Sequence, residues 1–309
     1  MRVRRRSEVW EVAAPAKLNL YLEVLGKRPD GFHDLETLMV PIGISDRLWL
    51  SLSDKSDDSR DVTLEYHPAT CRQLQAAAPL GDDNLVLRAA RALAQVAGLQ
   101  PAGQFTLHKQ IPVGAGMGGG SSDAAAALLL ANEAWGLSYS RSRLMTIAAD
   151  LGSDVPFFID GEPAICRGRG ELVEPLDGLP RLHVVAAMPP ASFMTAEVFG
   201  RLVRQSGSFA SHEESSTRLS VLTDLLRRGA IARCSDWMRN RLQQAAAEAS
   251  DWVGRLEGAF TRAGCDVHLM TGSGAGYFGL ARSSRHARML AAQLRSWKLG
   301  KVWATATGR

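Results

Sequence analysis

Leu18, Leu20, Leu22 and Val24 alternate with Asn19, Tyr21 and Glu23, a period of two that predicts a half-buried strand. The alternation returns at Leu48, Leu50 and Leu52 and, after a polar loop over 54–61, at Val62, Leu64 and Tyr66. Asp82, Asp83 and Asn84 offer N-caps for an Ala/Leu/Arg helix that Gly98 can end, and 104–109 reads as a short strand. Strong helix formers then fill 121–135 up to Gly136, with a Ser expected as the cap, and Ser140 caps a further helix stopped at Gly152.

The texture changes over 176–180, a Pro- and Gly-bearing stretch, and the domain boundary is placed there, giving domains 1–179 and 180–309. Beyond it the pattern predicts a strand at 182–187, helices near 196–204, 218–228, 236–249 and 251–263, strands at 266–270 and 277–281, a helix at 284–297 and a strand at 302–306. One strand, helices, then strand, strand, helix, strand is compatible with a split-βαβ, ferredoxin-like sheet carrying extra helices. The fold class is therefore α+β, with a mixed α/β domain first and the ferredoxin-like domain second. No repeat of 20 to 50 residues is visible.

With 309 residues the chain is about twice the usual single-domain size, and 46% hydrophobic against 22% charged is ordinary globular composition. Its longest apolar run, 124–131, is too short to cross a bilayer. A net charge of +4 leaves a phosphate-bearing partner possible without requiring one. Arg2, Arg4, Arg5 and Arg6 read as a solvated, frayed end rather than a nucleic-acid arm or a transit peptide. Cys71, Cys166, Cys234 and Cys265 are scattered, with no CxxC pair, as in a reduced, cytoplasmic protein.

The most informative segment is I-P-V-G-A-G-M-G-G-G-S-S-D-A-A-A-A over 111–127. Glycines at 114, 116, 118, 119 and 120 are costly in conformational entropy, so something must approach that backbone closely. A phosphate chain is the physical candidate, because bare N–H groups can converge on its oxygens ahead of a helix N-terminus. Gly114, Gly116 and Gly119 satisfy GxGxxG, yet the acid-ended second strand of a dinucleotide fold is missing. No Lys-Ser or Lys-Thr closes the loop as in Walker A, and no HRD or DFG partner points to a protein kinase.

Two further stretches stand out: P-A-K-L-N-L, with Lys17 in a strand, and L-G-S-D-V-P-F-F, with Asp154 between a helix end and an apolar run. Together with the glycine loop, in this order, they resemble the small-molecule kinases of galactose, homoserine, mevalonate and phosphomevalonate. Within that superfamily, P-A-K-L-N-L, D-G-F-H-D-L at 30–35, D-N-L at 83–85 and M-T-G-S-G-A-G at 270–276 are similar to the branch acting on cytidine-diphosphate-linked methylerythritol, on the non-mevalonate isoprenoid route. The resemblance spans roughly residues 13 to 281.

It implies ATP-dependent phosphorylation of an acceptor hydroxyl in the cleft between the domains. Asp154 would take the hydroxyl proton, with Lys17 beside it. Pro112, Gly114, Gly116, Gly118, Gly119, Gly120, Ser121 and Ser122 would hold the triphosphate, with Mg²⁺ whose ligands the motifs do not assign. Asn19, Phe32, His33, Phe199, Gly272, Ser273 and Gly274 would contact the acceptor, His33 at the cytosine edge and the glycine cluster closing over it. Phe32 stands where the family usually has tyrosine, and Gln243 where an acid is common. A sister kinase of a simpler alcohol is the first alternative, and an RNA-binding protein using the basic end is the second; nucleic acid and membrane are not the expected partners, and oligomeric state is left open.

Overall fold

The computed structural model describes residues 1–52, 61–205 and 209–308, so the polar loop expected over 54–61 lies almost wholly outside the described residues. In chain order the first half forms β1 (Arg4–Arg6), β2 (Val9–Lys27), β3 (His33–Ser51), β4 (Val62–Tyr66), α1 (Arg72–Ala77), α2 (Leu85–Ala97), β5 (Gly103–His108), α3 (Gly119–Ala134), α4 (Arg141–Leu151) and α5 (Val155–Asp160). The second half forms β6 (Ala164–Gly168), β7 (Leu172–Pro175), β8 (His183–Met188), α6 (Thr195–Gln205), α7 (His212–Arg227), β9 (Arg239–Asn240), α8 (Gln243–Ala249), α9 (Trp252–Arg262), β10 (His268–Met270), β11 (Tyr277–Ala281), α10 (Ser284–Ser296) and β12 (Lys301–Ala306).

Two compact units divide the chain, one of Met1–Ala16, Ile44–Val113 and Gly118–Gly161, the other of Lys17–Gly43, Gly114–Met117 and Glu162–Arg309. They do not follow the single cut expected between 179 and 180. The reason lies in β2 and β3, each 19 residues long against a usual five or six, which begin in one unit and finish in the other. The composition change over 176–180 marks only the connection into β8.

In the first unit the run expected to fray is ordered: β1 pairs antiparallel with the start of β2, Arg4 opposite Glu11, and the Arg5 guanidinium lies 4.9 Å from the Trp10 ring. The end of β3 pairs antiparallel with β5, Leu48 opposite Leu107 and Leu50 opposite Phe105, and β5 takes β4 in parallel. These four side chains are buried and so face the core. Asn84 caps α2 by accepting from the Val86 N–H at 3.0 Å, and Gly98 ends it at φ +65, as the pattern predicts. Helix α3 differs: Gly118, at φ +70, is its N-cap and no side chain caps it, so the Ser cap expected there is replaced by a left-handed glycine. Its small residues Ala124 to Ala127 are all buried, which lets neighbouring backbone approach closely.

In the second unit a four-stranded sheet has the order β10-β11-β8-β12 with every pairing antiparallel. Counted along the chain this is second, third, first, fourth, the split-βαβ arrangement the strand pattern predicts. Phe260, Leu290, Leu294 and Met270 form part of the apolar core with Val185 and Ala187 of β8. The helix expected over 236–249 is cut short. Arg239 and Asn240 instead pair in parallel with Tyr21 and Leu22, and the Asn240 amide donates to the carbonyls of Met270 at 2.9 Å and Gly272 at 2.8 Å. Side chains satisfied only by an extended backbone compete with helix formation, and here they win.

That unit also holds two glycine stretches main chain against main chain. Ala275 N–H donates to Gly114 O at 3.1 Å and Gly276 N–H to Ala115 O at 3.0 Å. A Cβ on Gly116 would stand 2.1 Å from Thr271 O, and one on Gly274 would stand 2.1 Å from Gly116 N. The close approach that glycine permits at 114–117 is therefore to other backbone. Gly274→Ala should cost about 3 kcal/mol or more by overpacking, read as a lowered thermal midpoint. Gly254→Ala, a helical site with open space, should leave the midpoint unchanged or raised. Equal midpoints for the two variants would contradict the interlock.

Candidate functional site

Strand β2 changes character along its length. From Val9 to Ala16 burial alternates, but from Lys17 to Val24 every residue is buried, so the polar members of the alternation face protein rather than solvent. Lys17 is 3% exposed and Asn19 1%. Two residues apart on a strand, they share a face, and Lys17 Nζ donates to Asn19 Oδ1 at 2.5 Å. Asn19 Nδ2 donates to Thr37 Oγ1 at 2.9 Å, and the Thr37 hydroxyl in turn donates to Tyr21 O at 2.5 Å. Thr271 closes the network, accepting from Asn19 N–H at 3.0 Å and donating to Asn19 Oδ1 at 3.3 Å. The Asn19 amide, expected to meet the acceptor, thus makes these bonds within the protein and orients the Lys17 ammonium. Thr37 and Thr271 escaped the sequence reading because their role exists only through partners 18 and 252 residues away.

Lys17 also touches both glycine stretches. Its N–H donates to Met117 O at 2.9 Å, and its Nζ lies 3.3 Å from where a Cβ on Gly272 would be. Gly114, Gly116 and Gly118 all have φ near +70 to +75, while Ala115 and Met117 between them do not have positive φ. Left-handed glycines at every second position give this loop bends that a side chain would resist, as main-chain anion-binding concavities require. From Gly118 the chain enters α3, whose Ser122 N–H closes the first intrahelical bond to Gly118 O at 2.8 Å. The N–H groups of Gly119, Gly120 and Ser121, ahead of that bond, have no intrahelical acceptor and carry the positive helix end. Pro112 precedes the loop and is buried, and the buried Ser122 hydroxyl has no protein partner.

Beneath the start of α3 lies a group that no motif announced. Lys109, buried at the end of β5, pairs with Asp46 and, at 2.8 Å, with Asp123 of the first helical turns. Asp46 also accepts from the N–H groups of Gln110 and, at 2.8 Å, Ile111. Nothing local marks these three charged residues, which stand among other polar residues in the sequence, and only the fold brings position 46 to positions 109 and 123.

Asp154, also in the first unit, is the half-buried N-cap residue of α5, yet its side chain makes no cap hydrogen bond.

In the second unit His33 and Phe199 are stacked, ring centroids 4.9 Å apart and 26° from parallel. His33 Nε2 is buried without a hydrogen-bond partner, and burial, followed by the nearby charge of Lys27, holds the imidazole below its ordinary pKa and so neutral at pH 7. Phe32 is 48% exposed with the Arg169 guanidinium 4.8 Å over its ring, so one face already carries a cation. Ser273 Oγ lies 2.8 Å from Thr195 Oγ1. Gln243, the departure from the family acid, accepts from Met270 N–H at 2.9 Å, a contact an acid would also make. Cys71 is exposed and the other three cysteines are buried, all unbridged. Among the described residues no three His, Cys, Asp or Glu side chains converge as a metal cage, and no helix is long and apolar enough to cross a membrane.

Residues 84–162 match the family model of the GHMP kinases N terminal domain. A solved 4-(cytidine 5'-diphospho)-2C-methyl-D-erythritol kinase superposes with a TM-score of 0.77 at 34% identity, covering 97% of this chain and 99% of that one. A homoserine kinase from Cytophaga hutchinsonii, 16% identical with a TM-score of 0.71 over 99% of this chain and 97% of that one, shares the fold. The 4-diphosphocytidyl-2-C-methyl-D-erythritol kinase of Pelotomaculum thermopropionicum is 36% identical over 91% of this chain and 92% of its own length. That of Geobacter metallireducens is 37% identical over 89% and 90%. Sequence likeness of this extent, on a fold shared from end to end, means that the chain belongs to the 4-diphosphocytidyl-2-C-methyl-D-erythritol kinase family.

Proposed function

We propose that the chain transfers the γ-phosphoryl group of ATP to the 2-hydroxyl of 4-(cytidine 5'-diphospho)-2-C-methyl-D-erythritol, supplying the non-mevalonate isoprenoid route. The observation that carries the choice of acceptor, beyond family membership, is the His33–Phe199 pair: a neutral imidazole held by an aromatic ring, its buried Nε2 unpartnered, suits the edge of a pyrimidine. A kinase of mevalonate or homoserine has no base to read. Phe32 offers its remaining face for stacking, and Phe199 and the Gly272–Ser273–Gly274 turn line the acceptor side.

Gly114, Gly116, Gly118, Gly119, Gly120, Ser121 and Ser122, preceded by Pro112, hold the triphosphate through main-chain N–H groups and the helix end. Mg²⁺, a hard cation that keeps phosphate and water oxygens as ligands, suits a site whose protein contribution is the unpartnered Ser122 hydroxyl; when bound it offsets the phosphate charge. Asp154 accepts the proton of the attacking hydroxyl. In this reading the Lys17 ammonium, oriented by Asn19, stabilises negative charge growing on the acceptor oxygen. Phosphoryl transfer is mainly positioning and electrostatics, so these parts suffice.

Measured ADP release should be fast with the cytidine-linked acceptor and negligible with mevalonate or homoserine; turnover of either simple alcohol alone would overturn the assignment. Asp154→Asn should lower kcat by roughly 10²- to 10⁴-fold with ATP binding kept, the scale for loss of a general base. An unchanged rate would remove Asp154 from proton transfer. Thr37→Val, which takes away the acceptor for Asn19 Nδ2, should lower kcat about tenfold through misplacement of Lys17, and Thr37→Ser should restore it.

A further inference from the structure

Lys109, Asp46 and Asp123 take no part in the transfer chemistry above, yet burying three ionisable groups is costly unless their geometry is well satisfied. Their side chains are 3%, 0% and 5% exposed. What they hold is the glycine loop, at both ends. On the entering side, Asp46 Oδ1 accepts from the N–H groups of Gln110 and Ile111, the two residues before Pro112. On the leaving side, Asp123 belongs to the start of α3, and Lys109 Nζ lies 2.9 Å from where a Cβ on Gly119 would stand. The ammonium bridges the two carboxylates and so ties the chain before the loop to the helix after it.

We propose that Lys109 is a positioning residue for nucleotide binding: gripped by Asp46 and Asp123, it fixes the spacing between residues 109–111 and the first turn of α3, the span across which main-chain N–H groups must meet phosphate. The inference rests on the ATP-dependent reading above. Two acids and one ammonium leave the question of where the charges reside. Burial pushes the Asp123 carboxyl well up, Lys109 pulls it back and Asp46 pushes it up again. Burial would lower Lys109, but the carboxylates of Asp123 and Asp46 more than reverse this. Asp123 Oδ1 is buried with no partner, a position that a full carboxylate charge could not occupy cheaply. Burial thus favours the protonated form of the Asp123 carboxyl, and an amide at position 123 keeps an uncharged oxygen facing the Lys109 ammonium.

The test uses the full chain and a non-hydrolysable ATP analogue, with affinity read by titration calorimetry, KM for ATP and kcat from ADP release, and the folded state from circular dichroism and the thermal midpoint. Lys109→Met and Asp46→Asn should each weaken analogue binding and raise KM for ATP by about tenfold or more while kcat stays within about threefold. Asp123→Asn should retain affinity to within about threefold, whereas Asp123→Leu should lose it as Lys109→Met does. Should Lys109→Met fail to fold, Asp46→Asn carries the comparison, with amide hydrogen exchange at 118–122 faster than in the wild type. Folded Lys109→Met or Asp46→Asn protein with wild-type affinity, or Asp123→Asn as weak as Asp123→Leu, overturns the proposal. A wild-type chain that binds no analogue overturns the ATP-dependent reading instead.

Discussion

Main chain lying directly on main chain is the constraint from which much of the second unit follows. At 114–117 and 271–276 the carbonyls and amides of two loops meet at hydrogen-bonding distance, and the space a Cβ needs is already filled by backbone atoms. Such contact fixes the loops more rigidly than side-chain packing, because it leaves no rotamer to adjust. Lys17 is anchored by the same contact, through its own N–H on Met117, so the amine inherits the precision of the loops.

A second requirement is the satisfaction of polar groups in a strand that has lost its solvent face. Lys17, Asn19 and Glu23 are all nearly inaccessible. Each is matched: Lys17 by Asn19, Asn19 by Thr37 and Thr271, and Glu23 by Arg239 at 2.9 Å. Burial raises the Glu23 carboxyl above its ordinary value, with the guanidinium of Arg239 opposing the shift. Buried, fully bonded networks of this kind rigidify their surroundings, which is what a positioned ammonium needs.

Much of this was legible in the chain. Period-two alternation located β4 and the buried ends of longer strands, Asn84 and Ser140 marked helix starts through their own side chains, and the order of strands and helices after 180 gave the split-βαβ sheet. The glycine loop was visible because its residue type answers a local steric demand. What stayed hidden depends on distant partners. Alternation could not distinguish a strand facing water from one facing a second layer of protein, so the burial of Lys17 and Asn19 was not visible in it. Helix propensity over 236–249 was real, but Asn240 found carbonyls at 270 and 272. The ion cluster needed position 46 brought beside 109 and 123. The second glycine cluster is expected from the chain to close over the acceptor, and its main-chain contact with 114–117 could be seen only once both loops were placed.

The interleaving of the two units has a consequence for biosynthesis. All residues of the first unit have been translated once Gly161 is joined, whereas Lys17–Gly43, made far earlier, belongs with partners that run to the C-terminus. During synthesis at about 5 to 20 residues per second, the middle of β2 must wait for roughly ten seconds or more before Thr271 exists to meet Asn19. A growing chain therefore carries its amine-bearing strand incomplete past the point at which its first globule can form, and the contacts around Asn19 are completed only when residue 271 has been made.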